Sequence, residues 1–384
     1  MKQLSRRSFL QQVGVGAGVA GASLVLPSFV TGQSQKYFGK KLNVALCGLG
    51  NYASILAEGL EVSQYCRLAG IVSGHADKAA TWQKRYNIPD KNIYNYENFE
   101  TIADNKDIDL VYIVLPNGLH KEFTIKAARA GKHVITEKPM ATSVKDCKEM
   151  IDACKKAGVQ LAVGYRLHFE PTHQELKRLG QEKVFGQVRF IEAALGYETY
   201  DAAKANIGYR KGDPDDWRLS KQLAGGGPLM DLGIYCVQSC RYVLGQEPIA
   251  VTAQIIPTRS PKLFSEVEES IIWQLEFGNG VVGNCTTSYG FNVDRFFATA
   301  DGGQFELSPG LSYGPFKGKT TTGILDFPVI NQQAAQLDAI GKLILENKPL
   351  PSHITGEEGL KDINIIESIY KAAETKQKVL IPAL

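Results

Sequence analysis

Metal and disulfide frameworks are the first things this sequence lacks. Its seven cysteines are scattered, with no CxxC pair and no Cys/His spacing of the metal-binding kind, so neither a disulfide scaffold nor a metal centre is expected. Cys236 and Cys240 fall on one helix face, where small buried side chains are the usual explanation. Charge of one sign is lacking too. The 43 Lys and Arg residues against 40 Asp and Glu leave +3, and no basic run tracks a phosphate backbone, so no nucleic-acid partner is expected. Low-complexity bias is absent: 44% hydrophobic and 22% charged residues describe a globular chain. At 384 residues it is too long for one ordinary core, which predicts two domains.

Long hydrophobic runs are also scarce. The uncharged stretch Val13 to Pro27 is Gly/Ala-rich and falls short of the roughly twenty apolar residues that span a bilayer. It fits the apolar region of a signal peptide, and Arg6-Arg7 in "SRRSFLQQ" points to the twin-arginine route. Residues 1–30 are therefore expected to be a twin-arginine signal peptide directing the protein to the periplasm. Residues 31–41 read as a polar linker or arm.

What is present begins at Leu42. A strand to Cys47 runs into Gly48-Leu49-Gly50-Asn51-Tyr52-Ala53, and Ile55, Leu56 and Leu60 then fall at helical spacing. Strand, Gly-x-Gly-x-x-Ala and helix form the dinucleotide fingerprint in its required context. Gly48 permits the tight turn, Gly50 lets the backbone approach a pyrophosphate, and Ala53 lets the helix close on the strand. The second strand, Arg67 to Ser73, is followed by Ser73-Gly74-His75 and Lys78 where an acid would hold the ribose hydroxyls. A hydroxyl and a lysine suit a 2'-phosphate, which predicts NADP as cofactor; a solvated helix lysine is the other reading of Lys78.

Alternation continues. Leu110–Leu115 is an apolar strand ending in Pro116-Asn117-Gly118-Leu119-His120, with a helix through Phe123, Ala127 and Ala128. "KHVITEKP" is the next strand, and Val144, Cys147, Met150, Ile151 and Cys154 stripe the next helix. "VQLAVGYR" closes a doubly wound parallel sheet over residues 42–166. Ligands bind beyond the carboxyl ends of such strands, the edge that Pro116-Asn117, Glu137-Lys138-Pro139 and Tyr165-Arg166 share with the glycine loop. Lys138, alone a plain strand exit, there stands where a nicotinamide would arrive.

Residues 167–384 change pattern. Strand-like runs follow one another, with Gly278-Asn279-Gly280 as a hairpin turn between Ile271–Phe277 and Val281–Ser288. A large, mostly antiparallel sheet with a few helices is expected, making this an α+β domain; Thr355 and Glu358 match a capping box. In "AGGGPLMDLGIY" three glycines admit close backbone approach, and Asp231 and Tyr235 stand one helical turn apart. A carboxylate and a phenol on one face suit a polyol, or are a helix-start acid and a half-buried tyrosine. Trp217 offers a flat face for a sugar ring or nicotinamide, and Arg218 an anion or amide contact.

Together GLGNYA, LPNGLH, EKPMA, GYRLHFEP, DDWRL, AGGGPLMDLGIY and GEEGLKD resemble the family of glucose–fructose oxidoreductase and inositol dehydrogenase, from about residue 40 to the C-terminus. The resemblance implies an N-terminal Rossmann domain and an open-faced second domain whose sheet builds homodimers or homotetramers. It also implies tightly held NADP and a small-molecule sugar substrate. Carried over by position, it makes Gly48, Gly50, Asn51 and Tyr52 the pyrophosphate loop, and Ser73, Lys78 and Tyr96 the adenosine-phosphate contacts. It puts Pro116, Asn117, His120, Glu137 and Lys138 on the nicotinamide side, with Arg166, Trp217 and Arg218 as cover. Lys138, Tyr235 and Asp231 become the catalytic residues: Tyr235 as base, Lys138 as its ammonium partner, Asp231 as the substrate-binding acid. The short "TGQSQKYFGKK" departs from the family's long proline-rich arm. Exported glycosidases of the same superfamily, which use bound NAD for a transient oxidation at sugar C3, are the alternative. A catalytically idle sugar-binding protein is a third reading.

Overall fold

The computed structural model describes residues 39–199 and 216–384; the expected leader and most of the expected linker lie outside the described residues. The first sheet contains β1 (Leu42–Cys47), β2 (Cys66–Val72), β3 (Ile93–Tyr94), β4 (Leu110–Ile113), β5 (His133–Thr136) and β6 (Leu161–Val163). They pair in parallel in the order β3-β2-β1-β4-β5-β6. Val44, Ala45, Leu46, Cys47, Val111, Tyr112 and Ile113 are all fully buried, as strands covered on both faces must be. The helices α1 (Asn51–Val62), α2 (Ala76–Tyr86), α3 (His120–Arg129) and α4 (Val144–Ala157) supply the crossovers. The order reverses between β1 and β4, and this switch point opens a crevice at the strands' carboxyl ends.

After α5 (Pro171–Gln181) the chain builds a nine-stranded sheet. Its strands are β7 (Val188–Gly196), β8 (Pro248–Ile256), β9 (Ser270–Phe277), β10 (Val282–Ser288), β11 (Val293–Ala300), β12 (Gly303–Leu307), β13 (Gly318–Thr320), β14 (Gly323–Leu325) and β15 (Val379–Leu380). The order is β14-β13-β12-β11-β7-β10-β9-β8-β15, antiparallel except for β7 with β10. The Gly278–Gly280 turn joins β9 to β10, with Gly280 in the left-handed region at φ 82. Ile271, Trp273, Leu275 and Phe277 of β9 point into the core, while Ile272 and Gln274 between them are exposed. Among the described residues one face of the sheet is therefore open. Its other face receives α6 (Ile234–Leu244), in which every residue but Tyr242 is buried.

The last third of the chain returns to the first sheet. Helix α7 (Gln332–Leu345) packs on α1, and Asp338 Oδ1 accepts hydrogen bonds from Ser63 Oγ at 2.5 Å and from the Gln64 and Tyr65 amides at 2.7 and 3.0 Å. Helix α8 (Gly356–Thr375) packs on α4 and β8. The capping box expected at its start does not form. Thr355 is the N-cap residue, but its hydroxyl donates to the Ser352 carbonyl at 3.2 Å.

Candidate active site

The glycine loop is shaped from two sides. Gly48 has φ 102, and a Cβ there would lie 2.5 Å from the Val114 carbonyl oxygen, so only glycine fits against the end of β4. Gly50, the N-cap of α1, carries no capping side chain, and a Cβ on it would meet nothing within 4 Å. Amides at a helix start, facing space open among the described residues and with no acidic residue in the first turn, would suit a pyrophosphate. Asn51 is exposed there and Tyr52 half-buried. Past β2 the Ser73 hydroxyl is spent locally, accepting from the His75 amide at 3.1 Å and donating to its carbonyl at 3.2 Å. Lys78 is exposed in the first turn of α2. Tyr96 closes on Gly74, whose Cβ would stand 2.7 Å from its ring, and leans edge-on against Phe123 at 5.1 Å.

At the carboxyl ends of β5 and β6 the two sheets' contributions meet. Lys138 Nζ donates to the Asp231 carbonyl at 2.6 Å and to Asp231 Oδ1 at 3.3 Å, and lies 4.8 Å from the centre of the Tyr235 ring. Burial alone would push this ammonium down, but Tyr235, Asp231 and Glu137 outweigh it and hold its pKa above the ordinary value. Asp231 Oδ2 accepts from Arg218 Nε and from the Tyr289 hydroxyl, each at 3.0 Å. Burial pushes the Asp231 carboxyl up, yet Lys138, Arg218 and Tyr289 hold it well below the usual carboxylate range, so it stays ionised. Behind Lys138, Glu137 accepts from the Tyr112 hydroxyl at 2.6 Å and from the Lys138 amide at 3.2 Å. Burial drives its carboxyl up to about 7 despite those contacts. The Lys138-Pro139 peptide bond is cis.

The turn that carries Asp231 is not an ordinary helix. Leu229–Gly233 is a π-type turn leading into α6. Where five-residue pairing returns to four-residue pairing, a helix has one carbonyl too many for its donors. Lys138 takes a carbonyl of this turn. Asp231 and Tyr235 both face Lys138, as their four-residue spacing suggests, but across a π-type turn rather than a regular α-helical one.

Several expected residues have other duties. Arg166, expected as cofactor cover, is buried beneath Tyr235, with its guanidinium 5.1 Å from the centre of that ring. It donates to the Ser312 carbonyl at 3.0 Å and to Gln332 Oε1, and stacks on Tyr313 at 4.2 Å. Among the described residues its Nε is buried without an acceptor, beside the crevice. His120, expected to line the nicotinamide, sits fully buried behind that edge. Its ring nitrogens lie 2.9 Å from the Pro139 and Leu115 carbonyl oxygens, bracing the β4 and β5 loops together. Asn117 donates to the Ala224 carbonyl at 2.8 Å, while Pro116 before it is half-buried. Trp217 stacks under the Arg218 guanidinium at 4.3 Å, and Asp215, the first residue of the DDWRL motif, lies outside the described residues.

The glycine triplet admits the close approach expected of it, by protein groups. A Cβ on Gly226 would lie 1.9 Å from the Tyr370 hydroxyl, and one on Gly227 would lie 2.2 Å from the Glu268 carbonyl oxygen. These glycines admit protein, not ligand. Tyr112, Tyr289, Tyr313 and Gln332 were not singled out from the sequence. Only Tyr289 had a usable signal, its place at the end of β10 beside the site.

The crevice fits a nicotinamide dinucleotide: the Gly50 cradle would take the pyrophosphate, and the Lys138, Arg166 and Tyr235 cluster would face the reactive end. Residues 42–165 match the family model described as an oxidoreductase family with an NAD-binding Rossmann fold, and residues 173–306 match the GFO/IDH/MocA C-terminal domain. The crystal structure of an aldose-aldose oxidoreductase from Caulobacter crescentus, complexed with glycerol, is 40% identical and superposes with a TM-score of 0.82. The match covers 89% of this chain and all of that one. A D-xylose 1-dehydrogenase (NADP+) of Haloarcula marismortui is 28% identical over 90% of this chain and 95% of its own length. Levoglucosan dehydrogenase in complex with NADH and L-sorbose, 22% identical with a TM-score of 0.74 over 90% of this chain and all of that one, shares the fold. The chain belongs to the GFO/IDH/MocA oxidoreductase family, with a nicotinamide-binding Rossmann domain and that family's C-terminal domain.

Proposed function

We propose that this protein oxidises the C1 hydroxyl of an aldose using tightly held NADP, and that it is exported by the twin-arginine route to the periplasm. The observation that carries the reading is the placement of the Lys138 ammonium, clasped by Asp231 and 4.8 Å from the Tyr235 ring. Bound nicotinamide supplies the hydride acceptor. Tyr235 takes the hydroxyl proton, a role worth about 10²–10⁴-fold in such steps. Lys138 has three N–H donors, and Asp231 occupies two of them. The third serves the substrate oxygen, where it opposes the negative charge that develops as the proton leaves. The Arg166 guanidinium supports the Tyr235 ring from beneath at 5.1 Å.

The aldose and xylose relatives support a sugar substrate, and the NADP-dependent one supports NADP. Exposed Lys78 at the head of α2 supports the same cofactor through its charge. A second sugar returning the hydride would spare an exported enzyme an external nicotinamide pool, which agrees with the paired Arg6-Arg7. The open face of the nine-stranded sheet supports a homo-oligomer.

The test is to denature the purified protein, identify the released nicotinamide, and screen aldoses for reduction of the bound ring by absorbance. NADP and reduction by at least one aldose are expected. Release of NAD, with nitrophenol freed from a nitrophenyl glycoside, would put the glycosidase reading in its place. Cell fractionation of an Arg6→Lys, Arg7→Lys variant tests export, with cytoplasmic retention expected.

A further inference from the structure

The glycine triplet before Asp231 is explained by what presses against it. Glu268, in the segment entering β9, is nearly fully buried. Its Oε2 accepts from the Gly227 amide at 2.9 Å, and its Oε1 from the Leu229 amide at 3.1 Å. Pro228 between them has no N–H, so the two amides available at the head of the π-type turn both go to this one carboxylate. The Tyr370 hydroxyl, from the C-terminal helix α8, donates to Oε1 at 3.0 Å and keeps the carboxylate in place. Gly226 and Gly227 lack side chains where Tyr370 and Glu268 approach. Two residues beyond Leu229, the Asp231 carbonyl holds Lys138 Nζ at 2.6 Å.

We propose that Glu268, locked by Tyr370, is a positioning residue for catalysis: it caps the wide turn from outside and thereby sets the Asp231 carbonyl that aims Lys138. A carboxylate suits this place because a helix start offers two donors and a positive dipole end. Glutamine can accept from one amide only and must turn its own N–H₂ towards the other. Aspartate is one methylene too short to bridge both. The catalytic part of the proposal rests on the sugar-oxidation reading; the structural part does not.

Two measurements on the full-length holoprotein separate these parts. The first is reductive methylation with formaldehyde and cyanoborohydride, followed lysine by lysine by mass spectrometry. Glu268→Gln is expected to speed labelling of Lys138 about fivefold or more while exposed Lys78 and Lys348 label as before, since a side chain freed from a buried charged bond gains access. Unchanged Lys138 labelling overturns the proposal. If Glu268→Gln does not fold, Tyr370→Phe, which removes one hydrogen bond, is expected to raise labelling about twofold.

The second is reduction of the bound cofactor by D-xylose. Glu268→Gln is expected to lower the rate about tenfold, with KM changed less than about twofold, and to add less than about twofold in a Lys138→Ala background. Multiplied losses in the double variant would mean that Glu268 does not act through Lys138. If the unaltered protein reduces its cofactor with no sugar at all, the functional reading fails, and the labelling still decides whether Glu268 aims the lysine.

Discussion

Replacing Glu137 by glutamine tests the electrostatics behind Lys138. Burial raises this carboxyl from an ordinary 4.5 to about 7, while the Tyr112 hydrogen bond and the Lys138 charge pull it down. Between those two values the folded chain keeps a proton that the unfolded chain releases. Stability from this group is therefore complete below pH 4.5 and is lost as the pH rises through 7. The gap is worth about 3 kcal/mol at roughly 1.4 kcal/mol per pH unit. Glutamine can accept from the Lys138 amide through its carbonyl and donate to the Tyr112 oxygen, so both contacts survive without a titrating group. For a chain of this length the melting entropy converts about 3 kcal/mol into roughly 4 °C. About 2.5 kcal/mol of this contribution is lost between pH 5 and pH 8, so melting curves there should show Tm falling about 3 °C further in the unaltered protein than in Glu137→Gln. Asp362, also buried and raised to about 6, titrates equally in both proteins and cancels in the comparison. Parallel pH profiles would refute the assignment of a buried, proton-holding carboxyl to this position.

Two further substitutions probe the cofactor side. Lys78→Glu should lower the NADP recovered on denaturation and raise the share of NAD, as a carboxylate repels the 2'-phosphate; unchanged cofactor content would return Lys78 to a solvated role. Gly48→Ala should destabilise the fold by about 2 kcal/mol or more and empty the cofactor site, because the residue needs φ 102 and its new methyl would meet the Val114 carbonyl; near-normal melting would contradict that geometry.

The first sheet was legible because its signals are local: apolar strands, helical stripes and the glycine fingerprint each lie within a dozen residues. Leu42–Cys47 and the Val144–Ala157 helix stand as the sequence reading places them. The second sheet was legible as a class, through its run of strands and the Gly278–Gly280 turn, but its strand order was not, since β7 pairs with β10 and β11 across long separations. Lys138, Asp231 and Tyr235 could be singled out by chemistry and by their place at strand ends and a helix start. Their mutual geometry could not. A four-residue spacing reads as one α-helical turn, and nothing local announces a π-type turn there or the carboxylate of Glu268, 37 residues downstream of Asp231, at its head. The contacts of Arg166 were not legible for the same reason: Ser312, Tyr313 and Gln332, which hold it beneath Tyr235, lie more than 140 positions away. His120 looked available because its motif ends a strand, yet the cleft wall needs a side chain that spans two carbonyls, and the imidazole does so.

The central claim is that Lys138 and Tyr235 act on one sugar hydroxyl beside a bound nicotinamide. The most direct measurement follows deuterium from C1 of an aldose into the cofactor recovered from the protein, in the unaltered chain and in Lys138→Ala and Tyr235→Phe. The account predicts labelled cofactor from the unaltered protein and transfer slowed about a hundredfold or more in each variant, with cofactor content preserved. Transfer at undiminished rate in both variants, or no label in the cofactor for any aldose the protein turns over, would contradict it.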